Sequence, residues 1–316
     1  MPNATGSSID IDIEEHACLL CGGNQAVVVQ NSLQDIEEGM PGSYTISQCR
    51  QCNCIFLSRR PTESAVSKCY GNNYHVLASH RHVGFSRWLY DLRYYFRYRN
   101  IRSYLTRDSM RILEVGCGDA GFLVALEKIL GNRCELIGLD YSIAGVALPA
   151  DSKIKLFKGN ARTAPIEGTF DVILMYDVLE HLSDPVGSLM HIRRYLKADG
   201  VLIGHVPNWN SLWRRVFPRL WSGLQVPRHM SFFIPETLRK TLEKAGFASV
   251  SFGRVFDPGE LSVSVCNWLI DRCHWRGKPR SLKIFIPLTM AAAPIVALQN
   301  IFGDSGEICF NVKLHL

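Results

Sequence analysis

Residues 111–121 read Arg-Ile-Leu-Glu-Val-Gly-Cys-Gly-Asp-Ala-Gly, a short apolar strand that runs into a GxGxxG turn and opens the helical stretch Phe122–Leu130. A nucleotide-binding loop requires this order, because the glycines let the chain turn sharply and let a ligand lie where a Cβ would intrude. Two acids narrow the ligand. Glu114 stands on the strand itself, where it repels a pyrophosphate and attracts an ammonium group. Asp140 ends a second strand, Leu136-Ile-Gly-Leu-Asp, where a carboxylate can accept both hydroxyls of a ribose. A nucleoside that carries an ammonium group is S-adenosylmethionine (SAM) rather than a dinucleotide. The local alternative for an isolated Asp is a turn cap.

A second constellation is built from sulfur. Cys18-Leu-Leu-Cys21 and Cys49-Arg-Gln-Cys52 are paired CxxC knuckles, and four thiolates at that spacing predict a zinc ribbon. The set is closed, with no open coordination position, so the expected role of the metal is structural. Cys54 falls in an apolar stretch and is left out of the set. The bland alternative is four buried cysteines packed as small hydrophobes.

The segments ILEVGCGDAGFL, GLDYS, FDVILMYDVLEHLSDP and LMHIRRYLKADGVLIGHVPN follow in order between residues 112 and 208. Together they resemble class I SAM-dependent methyltransferases. The resemblance implies an α/β fold with a Rossmann-like seven-stranded sheet. It places Glu114, Gly116, Cys117, Gly118 and Gly121 along the methionine part of SAM, Asp140 on the ribose and Tyr141 against the adenine. Asn160 and Ala161 stand where the family usually has an acid and a small residue at the adenine amino group, and Tyr176 and Asp177 end the fourth strand beside the sulfonium.

The sulfonium is already activated, so the protein must align the acceptor and remove a proton if the nucleophile is a hydroxyl or carbon acid. Two histidines are candidate bases. His181 lies in the Glu-His-Leu element after the fourth strand, where a structural hydrogen bond is the competing role. His229, in Pro227-Arg-His-Met-Ser-Phe-Phe233, resembles the acceptor-side loop of small-molecule and sugar methyltransferases; a loop histidine held by a backbone carbonyl is the competing role. The zinc knuckles followed by RRPTESAVSKCYGNNYH also resemble deoxysugar C-methyltransferases that act on nucleotide sugars. The chain departs from these at Val226 and Arg228, where they carry a tyrosine and a glutamate, and in their additional C-terminal domain. Hydroxyl methylation of a small-molecule, glycosyl or lipid-linked acceptor is therefore the leading expectation. Carbon methylation of a nucleotide sugar and RNA methylation are alternatives, and an idle SAM-binding module comes last. The fourth strand ends in Met-Tyr-Asp-Val, without the Asn/Asp-Pro-Pro-aromatic signature of exocyclic amino methyltransferases.

Positioning these groups requires a zinc-ribbon domain at 1–69, a helical linker or lid at 70–107 and a methyltransferase domain at 108–316 with a helical insertion at 257–305. The chain has 316 residues, 47% of them hydrophobic, enough for a large core. Eleven cysteines behind a polar N-terminus that does not read as a signal peptide predict a reduced, cytoplasmic protein. The net charge is +6, and Arg81, Arg87, Arg93, Arg97, Arg99, Arg102 and Arg107 face only Asp91 in their stretch, which implies an anionic partner. The helix predicted over Phe85–Leu105 either solvates these arginines or covers a phosphate-bearing substrate.

Ile284–Gly303 has no charged residue. It meets the length of a membrane span, but a crossing would separate the seventh strand from its sheet, and Pro287 and Pro294 should break the helix. The expected role is a helical lid or dimer contact, with interfacial membrane contact beside Arg272, Arg276, Lys278, Arg280 and Lys283 as the alternative. The stretch Trp209–Trp221 is expected to help line an apolar acceptor pocket with a cationic rim.

Overall fold

The computed structural model describes residues 11–70, 85–164, 166–273 and 282–314. Arg81, Arg276, Lys278 and Arg280 lie outside them. Four strands come first: β1 (Ile13–Glu15), β2 (Ala26–Leu33), β3 (Tyr44–Cys49) and β4 (Ile55–Pro61). They form an antiparallel sheet in the order β1-β4-β3-β2. A one-turn helix, α1 (Glu63–Val66), and the arginine-bearing helix α2 (Phe85–Ile101) follow; the predicted helix ends four residues early, in a 3-10 turn at Arg102–Tyr104.

The second sheet is built from β5 (Met110–Val115), α3 (Gly121–Leu130), β6 (Cys134–Asp140), β7 (Lys155–Lys158), β8 (Phe170–Tyr176), α4 (Pro185–Arg193) and β9 (Leu196–Pro207). The chain continues through α5 (Leu212–Val216), β10 (Ser231–Phe232), α6 (Pro235–Lys244), β11 (Ser249–Arg254), α7 (Gly259–Cys273), α8 (Leu282–Ile301) and β12 (Glu307–Lys313), of which β11 and β12 complete this sheet. The strand order is β11-β12-β9-β8-β5-β6-β7, with β12 antiparallel to both neighbours and the other pairs parallel. The central strands are buried on both faces: every residue of β8 is buried, as a sheet covered by helices on each side requires. The order reverses between β5 and β8, and in such sheets the ligand crevice opens at the carboxyl ends of the strands flanking the reversal. Glu114 and Val115 pair there with Leu174 and Met175, which brings the glycine turn alongside Tyr176 and Asp177.

The two sheets are not separate in space. β10, from the His229 loop, pairs antiparallel with β4, Ser231 opposite Phe56 and Phe232 opposite Ile55. Trp209, Trp221, Leu224, Val226, Met230 and Phe232 share one core with Leu33, Tyr44, Ile46, Ile55 and Leu57 of the small sheet. This corrects the expected pocket role of the tryptophans, because Trp209 and Trp221 are 6% and 1% exposed. Burying such large rings against the small sheet gains more than leaving them on a cavity wall, at about 25 cal/mol per Å² of apolar surface.

The prolines of α8 also depart from expectation, for the helix runs through both Pro287 and Pro294. Seven residues apart, they lie on the same exposed side. There the carbonyls they deprive of partners reach water, and a bend toward the protein is tolerated.

Candidate functional site

The glycine turn is shaped for close approach. Gly116 and Gly118 have positive φ, 72° and 55°, and Ala120 follows in the left-handed region at 61° before Gly121 opens α3. A Cβ at Gly116 would overlap Val178 Cγ2. Cys117 is buried beneath the turn, its sulfur 2.7 Å from where a Cβ of Gly138 would stand, so β6 can pass only as glycine there.

Glu114 is 3% exposed and its Oε2 has no hydrogen-bond partner. Burial pushes its carboxyl up to about 8, although Arg97 nearby pulls the other way. A buried, unpartnered carboxyl oxygen at this place is a seat for a cation. Asp140 accepts from Gly118 N at 2.8 Å through Oδ2 and from Ser142 N at 3.0 Å through Oδ1. Each oxygen keeps a lone pair for a ribose hydroxyl.

Beyond it lies a cavity of about 380 Å³ lined by Tyr141, Ser142, Lys158, Gly159, Asn160 and Thr163. Tyr141 is exposed on its rim. The Asn160 carbonyl oxygen already accepts from Arg162 N, Thr163 N and Thr163 Oγ1 at 2.9, 2.9 and 3.0 Å, holding a turn. The Ala161 methyl is packed into the core, so it has only backbone atoms to offer a base. A donor such as an adenine amino group therefore finds the Asn160 oxygen heavily used.

Tyr176 and Asp177 close the crevice at the end of β8. The Tyr176 ring is buried between Phe122, at 5.8 Å edge-on, and His205, at 4.8 Å, and its hydroxyl has no partner. Arg97 of α2 lies over this ring at 4.5 Å and donates to Asp177 Oδ2 at 3.2 Å; Arg93 donates to the same oxygen at 3.1 Å. Part of the arginine face of α2 thus turns onto a carboxylate at the strand ends, with Arg97 largely buried and Arg93 still half exposed. Burial alone would raise the Asp177 carboxyl, but His205 and the two guanidiniums outweigh it and hold it well below the usual carboxylate range.

The two predicted bases meet. His181, on a 3-10 turn after β8, and His229 stack edge to face at 4.5 Å, and with Glu180 they bring ligating atoms within 4.8 Å of one another. His229 Nδ1 lies 2.8 Å from Gly223 O, and His181 Nδ1 lies 3.2 Å from Arg228 O and from the Tyr70 hydroxyl. A carbonyl only accepts, so each Nδ1 carries the hydrogen, and in a neutral His229 ring Nε2 keeps its lone pair. Burial first, then the neighbouring His181, pushes His229 well below the ordinary histidine value, so the imidazole is neutral. The Glu180 carboxyl is 1% exposed with neither oxygen partnered, and burial, reinforced by Asp177, pushes it well above the usual range. Asp177, His205 and Glu307 form an adjacent trio with ligating atoms equally close.

The loop bearing His229 is clamped from the other sheet. Arg228, the departure noted in the sequence, is not at the chemistry: its guanidinium donates to Asp35 at 2.7 and 3.1 Å, with both side chains 1% exposed. Asp35 also accepts from the backbone of Glu37, Glu38 and Met40.

At the far end of the small sheet the four predicted cysteines come together. Cys18 and Cys52 sulfurs are 3.4 Å apart, Cys21 and Cys49 sulfurs 3.5 Å, and all four lie within 4.8 Å. A tetrahedral zinc ion with about 2.3 Å bonds spaces its sulfurs by about 3.8 Å, so this set can hold one. The two knuckles match: Gly22 N bonds Cys18 O and Asn53 N bonds Cys49 O, and Gly22 and Asn53 both have positive φ.

Glu180, His205, Glu307, Arg93 and Arg97 were not chosen as site residues from sequence. His205 had a signal, a lone polar residue inside the apolar run Val201–Val206. The arginine run was the signal for Arg93 and Arg97 and the Glu-His-Leu element for Glu180, whereas Glu307 had none, because its partner His205 is remote in sequence.

The model of the methyltransferase domain family matches residues 87–251. A demethylmenaquinone methyltransferase of Staphylococcus carnosus is 30% identical over 114 residues, 34% of this chain and 47% of that protein. A ubiquinone biosynthesis O-methyltransferase of Cereibacter sphaeroides is 28% identical over 181 residues, 53% of this chain and 72% of that protein. Across these and a Streptomyces fradiae protein of unknown function, the chain covers 31% to 72% of each relative's length. Among solved structures, a SAM-dependent methyltransferase of Thermotoga maritima is similar at 18% identity and a TM-score of 0.46, with 73% of this chain and 94% of that chain covered.

Proposed function

The chain belongs to the methyltransferase domain family, whose cofactor is SAM, and on that premise we propose that it methylates a hydroxyl of a small-molecule, glycosyl or lipid-linked acceptor, with His229 taking the hydroxyl proton. The observation that carries this reading is the His229–His181 pair: two imidazoles whose Nδ1 atoms are held by carbonyls, with His229 kept neutral by burial. A neutral imidazole with a free Nε2 is what proton removal from a hydroxyl needs. The nearby Asp177 charge favours the imidazolium that results.

The cofactor residues follow the same reading. Glu114 holds the ammonium, the backbone of Gly116, Cys117, Gly118 and Gly121 lies along the methionine part, and Asp140 holds the ribose. Tyr141, Asn160 and Ala161 flank the adenine, and Tyr176 lies beside the sulfur. The unpartnered Glu114 oxygen fits such a ligand. Bound there, SAM supplies a methyl group that needs no further activation. Cys18, Cys21, Cys49 and Cys52 hold a structural zinc ion that braces the sheet on which β10 and the His229 loop rest. The relatives named for demethylmenaquinone and for O-methylation in ubiquinone biosynthesis support a small-molecule acceptor.

The test is turnover of SAM against a panel of phenolic, glycosyl and lipid-linked hydroxyl acceptors, with mass spectrometry of the product. His229→Ala and His181→Ala are expected to bind S-adenosylhomocysteine normally, and at least His229→Ala to lose transfer. Full activity in both variants, or a product methylated on nitrogen or carbon, overturns the reading.

A further inference from the structure

Helix α8 has the wrong surface for water. Ala292, Val296 and Gln299 face inward, where Ala292 and Val296 pack on Leu261 of α7 with Trp213 and Phe217 beside them. The outer face carries Met290, Ile295, Leu298, Ile301 and Phe302, between 51% and 81% exposed. Only 17% of Ile284–Ile301 is buried, at a mean hydropathy of 1.7. A helix on the surface of a globular protein turns a polar face outward, and an all-apolar helix is normally enclosed. This one does neither.

The adjoining sequence is basic. Between residues 271 and 283 five cations, Arg272, Arg276, Lys278, Arg280 and Lys283, face one acid, Asp271, and Arg272 is 71% exposed. An anionic bilayer satisfies the apolar face and the cations together. A second copy of the chain would satisfy the first and bring more cations to the second.

The far end of the helix is tied to the sheet. Arg254 donates to Asn300 O at 2.7 Å, the Asn300 amide donates to Val255 O at 3.3 Å, and β12 then enters the sheet between β9 and β11. A helix packed along α7 and fixed at that end lies on a bilayer rather than through it.

We propose that α8 is an in-plane anchor that docks on an anionic lipid bilayer, presenting the acceptor side of the crevice to molecules held in that bilayer. The root of the anchor adjoins the crevice: Phe256 packs on Phe96 at 5.9 Å, the next residue, Arg97, reaches Asp177, and Glu307, opening β12, lies 3.7 Å from His205. The acceptor class this names rests on the methyl-transfer reading; the docking itself does not.

The experiment is sedimentation of the full chain with vesicles of phosphatidylcholine alone and of phosphatidylcholine mixed with phosphatidylglycerol. Binding is expected to be at least about tenfold tighter to the anionic vesicles, since cations near such a surface are attracted to it. The triple variant Leu298→Glu/Ile301→Glu/Phe302→Glu should lose it by at least about tenfold, as charged residues do at an apolar interface. Unchanged S-adenosylhomocysteine binding shows that this variant is folded, and Arg272→Glu is a milder change that should weaken binding to anionic vesicles alone. Native protein that stays in the supernatant with anionic vesicles overturns the proposal, as does a folded triple variant that still sediments. So does a native dimer, seen by light scattering, that the triple variant dissociates. Vesicle binding uses no SAM, so its failure leaves the transferase reading standing, and failure of the histidine test leaves the docking standing.

Discussion

Replacing Glu114 by glutamine probes the cofactor end of the site most directly. In the empty site burial holds this carboxyl neutral up to about pH 8, whereas a bound ammonium group requires the carboxylate. Ligand binding at pH 7 should therefore release close to one proton, because roughly nine in ten of the empty sites are protonated there. The apparent Kd is multiplied by one plus the ratio of protonated to ionised Glu114, which is about 100 at pH 6, about 10 at pH 7 and about 1 at pH 8. S-adenosylhomocysteine should bind roughly ninefold tighter at pH 7 than at pH 6, and roughly fivefold tighter again at pH 8. Glu114→Gln should flatten this profile and weaken binding at pH 8 by about 2 kcal/mol, the usual worth of a hydrogen bond to a charged group. Isothermal titration calorimetry in buffers of different ionisation enthalpy reads both the Kd and the proton count. A native Kd that does not change from pH 6 to 8, with no proton released, refutes the reasoning, as does a glutamine variant that matches the native protein at pH 8.

Asp35→Ala should cost about 3–5 kcal/mol in urea unfolding, because it removes the carboxylate that the buried Arg228 guanidinium donates to; a loss under about 1 kcal/mol would show that the clamp is not needed. Cys49→Ser should abolish bound zinc by elemental analysis and lower the Tm, and unchanged metal content would contradict the four-cysteine assignment. Glu260, bonded to Trp221 and Ser211, has its carboxyl pushed up to about 7 by burial. The folded state therefore holds the proton more tightly than the unfolded chain between about pH 4.5 and 7, and stability falls as pH rises through that window. Glu260→Gln should remove this slope, gaining on the native protein by about 3 kcal/mol above pH 7, and parallel stability curves would contradict it.

The strand and glycine turn of the crevice were legible in the sequence because they are local. A strand, a glycine turn and a helix are specified by consecutive residues, so Glu114 and the positive-φ glycines stand where their order put them. Asp140 ends β6 in the same way, and each CxxC knuckle is a turn closed within five residues. Local reading fell short where a side chain's partner is remote. Trp209 and Trp221 looked like pocket walls, but the small sheet offered them a drier place.

By itself, then, the sequence determined the seven-stranded class, the glycine turn and the set of four clustered thiols. Periodicity and turn chemistry act over a few residues, and these features need no more. Only the tertiary structure decided that Arg228 pairs with Asp35 across 193 residues, that β10 joins β4, and that Arg93 and Arg97 converge on Asp177. It also set His181 against His229 and left the outer face of α8 bare. Such contacts depend on how the edges of two sheets meet, and no pattern along a single strand or helix encodes which remote charge, ring or solvent a side chain will face.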